Sequence, residues 1–336
     1  MAAIFCIIDG MTDEHWSETQ KEMPCWNQIG QQGAVGLLQT TPSGQLADSV
    51  GCILRLLGYT GADACRGWIE ALGCDIPFAA DDLLLRASWM TFDKRGCSTG
   101  FAVSPLKLPT REQGICYYSL GGYKAMLVLQ HGAPILTQLR TCAPHQHFGA
   151  PVEGLLPKGS EVLTAYIKKY CTAEQILIPW GPAGAGSLPA FSRPAVLLAG
   201  CSTALGIGRA LHLPVLHPNG ATGDVDTDLS AKAAAALQAA ELYPLVILHI
   251  NGADEAGHRK NWEEKKAFLQ QVDAFVFTPL LQSGHCLLFT ADHGCSPETG
   301  GHLQNLQPFV LYGTMHRGNL GILPAATGLQ LLCSRV

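Results

Sequence analysis

The stretch Cys286-Leu287-Leu288-Phe289-Thr290-Ala291-Asp292-His293-Gly294 decides how this chain reads. Its first five residues are a short apolar run with the character of a buried strand. The run ends in an acid and an imidazole, followed by a glycine. In open α/β sheets ligands collect at the carboxyl ends of strands, so Asp292 and His293 are candidate metal ligands.

The same signature occurs elsewhere. Ile7-Ile8-Asp9-Gly10 places a carboxylate at the end of an apolar N-terminal run, with a glycine that lets the backbone turn. Asn251-Gly252-Ala253-Asp254-Glu255-Ala256-Gly257-His258 follows another apolar run, and its Asp and His four residues apart can converge on one ion across a helical turn. His302, after Gly300 and Gly301, is a further ligand candidate. Taken singly, each has a plain structural explanation; together they form an inventory of oxygen and nitrogen donors. Two divalent ions about 3.5 to 4 Å apart can clamp the attacking and leaving oxygens of an in-line displacement. Such a pair calls for a nucleophile, and Ser49 fits. It follows Asp48 and opens the helical run Gly51 to Leu57, where free amides would welcome a phosphate. The competing reading of Ser49 is an ordinary N-cap.

Outward from these points, apolar runs alternate with helical ones. Ala3 to Ile8, Trp26 to Gln31, Val35 to Gln39 and Gly51 to Leu57 begin the pattern, and Ala195 to Ala199, Leu229 to Ala240, Pro244 to Ile250, Trp262 to Leu281, Cys286 to Thr290 and Phe309 to Tyr312 resume it. Such alternation implies βαβ units and a mainly parallel sheet flanked by helices. Between about Asp81 and Tyr170 the rhythm changes to strand-like pieces, Leu83 to Phe92 and Ala125 to Gln130, broken by Gly, Pro and polar turns. This middle reads as an inserted α+β cap, giving a core of residues 1–80 and 172–336 and a cap of 81–171. The Gly- and Pro-rich segment Pro179 to Pro194 reads as the hinge back into the core.

Composition bounds the function. The chain has 336 residues, 47% of them hydrophobic, enough for a full α/β core and a smaller domain. A net charge of −5 without a basic run gives no footprint for nucleic acid or anionic membrane, so a small molecule is the expected partner. Neither a membrane-spanning run nor a signal peptide is evident. Thirteen scattered cysteines without CxxC pairs point to reduced cytoplasmic thiols.

Ile8-Asp9-Gly10-Met11, Asp48-Ser49 ahead of Leu56-Leu57-Gly58-Tyr59, Arg66 to Gly73, Gly220-Ala221-Thr222-Gly223 with Asp226-Thr227-Asp228, Asp254 to His258, and Asp292-His293 together resemble the archaeal-type cofactor-independent phosphoglycerate mutases of the alkaline phosphatase superfamily. The resemblance implies an alkaline-phosphatase-like core with a smaller cap, and two divalent ions, manganese or zinc. It implies that Ser49 accepts the phosphoryl group, that Asp9, Asp292 and His293 share one ion with it, and that Asp254, His258 and His302 hold the other. The implied reaction interconverts 3-phosphoglycerate and 2-phosphoglycerate, a glycolytic isomerisation, through a phosphoserine.

The sequence departs from the family at its basic groups. Leu205 stands where the family carries a lysine, Cys97 to Ala102 replaces an arginine cluster, and Tyr123-Lys124 replaces a His-Arg pair. Arg66, Arg86, Lys124 and Arg209 remain as candidate substrate contacts. Loss of arginine forks weakens bidentate recognition of phosphate and carboxylate. The alternative is therefore a metal-dependent phosphatase or other phosphotransferase acting on a different small phosphomonoester.

Overall fold

Ala3–Ile8 is six buried apolar residues with nothing polar to place at a surface, which makes it a central strand. In the computed structural model, which describes residues 1–59 and 66–335, it lies between Leu245–Ile250 and Cys286–Thr290, parallel to both. The full sheet has eight strands in the order Val215–Leu216, Val196–Leu198, Leu245–Ile250, Ala3–Ile8, Cys286–Thr290, Gln307–Tyr312, Ala34–Gln39 and Gly318–Pro324. Only Gln307–Tyr312 runs against its neighbours, so the expected mainly parallel α/β fold is present.

Period-2 alternation sorts these strands into two faces. Ile4, Cys6 and Ile8, with Val246, Leu248, Ile250, Leu287, Phe289 and Ala291, pack against Pro24–Gln32, Leu229–Ala240 and Trp262–Val272. On the opposite face Ala325–Leu332 presses so closely that a Cβ on Gly328 would lie 3.2 Å from Leu288.

The chain divides into two compact units, Met1–Asp63 with Leu188–Val336, and Ala64–Ser187. The second is built on Leu83–Phe92, which pairs antiparallel with Lys124–Leu129, Ser98–Phe101 and Gln175–Ala183. One face of this sheet packs its own core, with Leu85, Ala87, Trp89 and Leu127 against Leu163 and Tyr166 of the helix Glu161–Tyr170. Two elements outside residues 81–171 belong here. Gln175–Ala183 is an edge strand along most of Leu83–Phe92 rather than the start of a hinge, and Pro179, opposite Ala87, is tolerated because an edge strand need not donate on its open side. The helix Arg66–Gly73 lies on the same sheet, where a Cβ on Gly67 would approach the Leu84 carbonyl oxygen to 2.3 Å. No helix among the described residues is long and apolar enough to cross a membrane.

Candidate metal centre and serine

The strand faces explain how distant residues meet. Ile4, Cys6 and Ile8 point into one helical layer, so the next residue, Asp9, continues the other face. The same parity places His249 and Asp292 on that side, and ligand atoms of Asp9, His249 and Asp292 all lie within 4.8 Å of one another. Asp254 and His258 sit i and i+4 on the helix Gly252–His258, with Asp254 Oδ2 3.2 Å from His258 Nε2 and Asp254 Oδ1 3.4 Å from His302 Nε2.

His293 Nε2 joins the two groups. It lies 3.3 Å from Asp9 Oδ1, 3.4 Å from Asp292 Oδ2 and 3.0 Å from Ser49 Oγ. The seven candidates Asp9, Ser49, Asp254, His258, Asp292, His293 and His302 thus come together. Ser49 is not the cap of its helix, Ser49–Leu56; Asp48 is, its Oδ2 accepting from the Gly51 amide at 2.9 Å. The Ser49 hydroxyl is left to face His293.

The donor set fits a cation. Asp9 Oδ1, Asp254 Oδ1 and Asp292 Oδ2 are buried oxygens without a hydrogen-bond donor, a costly state for carboxylates unless positive charge is supplied. Burial, reinforced by the Asp292 and Asp254 carboxylates, pushes Asp9 up to about 6. Burial, reinforced by the Asp254 carboxylate, also pushes Asp292 up to about 6. Each imidazole is turned with Nε2 inward. His258 Nδ1 faces Gly300 O at 2.7 Å, His302 Nδ1 faces Ala47 O at 3.0 Å, and His293 Nδ1 faces Gly294 O at 3.2 Å. A carbonyl only accepts, so these Nδ1 atoms carry the hydrogen and leave lone pairs on Nε2, the arrangement of metal-ligating histidines. Burial and the neighbouring His302 lower His293 to about 4, which keeps its ring unprotonated. Burial works against a proton on His302, yet Asp254 raises it to about 9, marking a place where a cation would take that proton's role.

Cys295 adjoins this set. Its Sγ lies 3.8 Å from His258 Nδ1 and 3.6 Å from the Asp254 carbonyl oxygen, ligand atoms of Asp254, His258 and Cys295 all fall within 4.8 Å of one another, and burial pushes the thiol well above its ordinary range. Sequence reasoning missed two features here. His249 is a lone polar residue in Leu245–Ile250, and strand parity would have flagged it. Lys265, fully buried, holds Asp13 Oδ2 at 2.9 Å and donates to the Thr12 and Cys295 carbonyls, tying the turn after Asp9 to the segment after His293.

The candidate substrate contacts are placed differently. In the second unit, Arg86 and Lys124 share one face of the sheet, since Lys124 pairs with Ser88. Arg66 joins them through Glu70, whose Oε1 accepts from Arg66 Nε at 2.8 Å and lies 3.8 Å from Arg86 Nε. Lys124 Nζ lies over the Tyr123 ring. Arg209 is on the helix Ser202–Ala210 of the first unit.

Two family models match the chain: the metalloenzyme superfamily over residues 196–330, and 2,3-bisphosphoglycerate-independent phosphoglycerate mutase over residues 30–176. Among curated relatives, 2,3-bisphosphoglycerate-independent phosphoglycerate mutase 2 of Methanothermobacter thermautotrophicus is 28% identical, covering 93% of this chain and 89% of the relative. Mutase 1 of Archaeoglobus fulgidus is 27% identical, covering 93% and 88%. Among solved structures, a protein from Pyrococcus horikoshii superposes with a TM-score of 0.76 at 19% identity over 99% of this chain and 97% of that one. The cofactor-independent phosphoglycerate mutase of Thermoplasma acidophilum does so with 0.56 at 17% identity, over 99% and 100%. Over most of its length the chain is thus similar to the archaeal-type cofactor-independent phosphoglycerate mutases, and it is an enzyme of the phosphomutase-like kind they represent.

Proposed function

We propose that the protein moves a phosphoryl group between the two hydroxyls of glycerate, interconverting 3-phosphoglycerate and 2-phosphoglycerate, with Ser49 as the transient acceptor. The observation that carries this reading is Ser49 Oγ at 3.0 Å from His293 Nε2, at the point where the unsatisfied carboxylates converge. Asp9, Ser49, Asp292 and His293 would hold one divalent ion, and Asp254, His258 and His302 the other. Bound there, two Mn2+ or Zn2+ ions would supply positive charge to the serine oxygen and to the phosphoryl oxygens. The residues do the rest by position. Asp48 and the first turn of Ser49–Leu56 fix the hydroxyl at a helix N-terminus, where amides favour an anion. Asp9, Asp254 and Asp292 are buried, and in such low-dielectric surroundings their charges act more strongly than in water. In this reading Arg66, Arg86, Lys124 and Arg209 would contact the substrate's anionic groups, and the cap would be the whole second unit, Ala64–Ser187, rather than residues 81–171. Buried thiols at Cys6, Cys25, Cys52, Cys201 and Cys295 fit a reducing, cytoplasmic setting.

A second reading, hydrolysis of a different small phosphomonoester, is favoured by one observation. Glu70 already engages Arg66 and lies beside Arg86, so the second unit does not present a plain arginine fork.

Incubation of the Mn2+-loaded protein with 3-phosphoglycerate, following 2-phosphoglycerate and free phosphate together, separates the two. Isomer without phosphate establishes the mutase; phosphate alone establishes the hydrolase; neither product refutes phosphoglycerate as substrate. Ser49→Ala should abolish turnover in either case while keeping the fold, and undiminished turnover in that variant would remove the serine mechanism.

A further inference from the structure

Four buried imidazoles line this centre, and their Nδ1 partners divide them. His258, His293 and His302 each present Nδ1 to a backbone carbonyl, which fixes the hydrogen there. His249 does not. Its Nδ1 meets the Cys201 Sγ at 3.5 Å, and a thiol can donate. Its Nε2, on a side chain that is 1% exposed, has no hydrogen-bond partner and faces Asp9 Oδ2 at 3.5 Å. An ionised carboxylate only accepts, so a lone pair on Nε2 would oppose the lone pairs of Asp9, whereas an N–H would complement them. Asp9 Oδ1, on the other side of the carboxylate, faces His293 Nε2 at 3.3 Å.

We propose that His249 is a positioning residue that donates its Nε2 hydrogen to Asp9 Oδ2, leaving Oδ1 turned toward Ser49 and His293, and that the Cys201 thiol selects this tautomer by donating to Nδ1. The assignment rests on the two-ion reading of the preceding section, for which it supplies the outer support of one ligand. Its rival is also built into the geometry: ligand atoms of Asp9, His249 and Asp292 lie within 4.8 Å of one another, so His249 Nε2 could instead bind a cation directly.

Two-bond 1H–15N correlation spectra of the 15N-histidine protein, with and without the diamagnetic ion Zn2+, distinguish these, the His249 signals being identified from their loss in His249→Gln. The expected result is a hydrogen on Nε2 of His249 in the loaded protein, with Nε2 of the other three rings shifted by the metal. A hydrogen on Nδ1 of His249, or a zinc-shifted Nε2, overturns the proposal. Failure of the other three rings to respond to Zn2+ would instead overturn the two-ion reading, and His249 would still report its own tautomer in the same spectrum. A second measurement keeps the thiol's role falsifiable. Loss of a hydrogen bond that supports a ligand costs about 10- to 100-fold in metal affinity. Cys201→Ala should weaken Mn2+ binding by about tenfold, and Cys201→Ser, whose hydroxyl also donates, should restore it. Equal affinity in the Ala and Ser variants would show that the thiol does not act through His249.

Discussion

Gly10 turns the chain with φ at +66° immediately after Asp9, and a Cβ there would fall 2.6 Å from the Cα of Asp254 and 2.8 Å from its Cβ. The turn carrying one candidate ligand and the helix carrying another are therefore separated by a single hydrogen atom. Gly10→Ala must both strain the backbone, at about 1 to 3 kcal/mol, and push Asp254 outward. It should lower Mn2+ affinity by at least about tenfold, as loss of ligand support does elsewhere. A manganese titration beside a urea midpoint checks this, and wild-type affinity in the variant would mean that the helix Gly252–His258 has room to retreat. Sequence reading finds Asp9 and Asp292 because an acid closing an apolar run stands out. Ser49 is ambiguous from sequence, since serine is a common cap; only the structure shows Asp48 taking that duty. His249 carries a weaker signal, a lone polar residue in the apolar run Leu245–Ile250, and the pairing of that strand with Ala3–Ile8 shows that it faces the same side as Asp9.

The same limit holds for whole elements. Apolar runs locate the central strands to within a residue or two, because burial on both faces leaves no polar interruption. The run Trp262 to Leu281 reads as one helix, yet it is Trp262–Val272, a wide turn Asp273–Phe277, and Thr278–Gln282. The wide turn has a tertiary cause. It brings the buried carboxylate of Asp273 onto the amides of Cys25 and Trp26 at 2.9 and 2.8 Å, capping Pro24–Gln32, whose own preceding residue, Met23, has no side-chain oxygen to accept from them. The helix Glu161–Tyr170 carries a local signal, Ser160 as N-cap with Leu163, Tyr166 and Ile167 on one stripe, that the surrounding turn residues obscure. Asp273→Ala would strand two buried N–H groups, each costing about 1 to 3 kcal/mol. The expected outcome is a large fall in the urea midpoint, with Asp273→Asn falling less because its one carbonyl oxygen can still cap. A midpoint for Ala equal to that of Asn would show that the cap does not hold this helix.

At the scale of the molecule, strand order does what no local pattern reveals. Ala3–Ile8 lies between Leu245–Ile250 and Cys286–Thr290, so residues from opposite ends of the chain deliver Asp9, Asp254 and Asp292 to one place. Three buried carboxylates so close together oppose folding unless a cation balances them. Ions that bind only the folded state stabilise it by mass action, about 2.7 kcal/mol per site at a hundredfold excess over the dissociation constant. Chelation should therefore lower the melting temperature, with Mn2+ restoring it. Native-state hydrogen exchange should place the loss at residues 9–12, 251–258 and 291–294, since these turns and the short helix are held by the centre. Leu83–Phe92 and Lys124–Leu129 have a separate core and should keep their protection. A melting temperature unchanged by chelation would show that the carboxylates are balanced by protons alone. A loss spread evenly over both units would show that the ions support the whole chain rather than one centre within it.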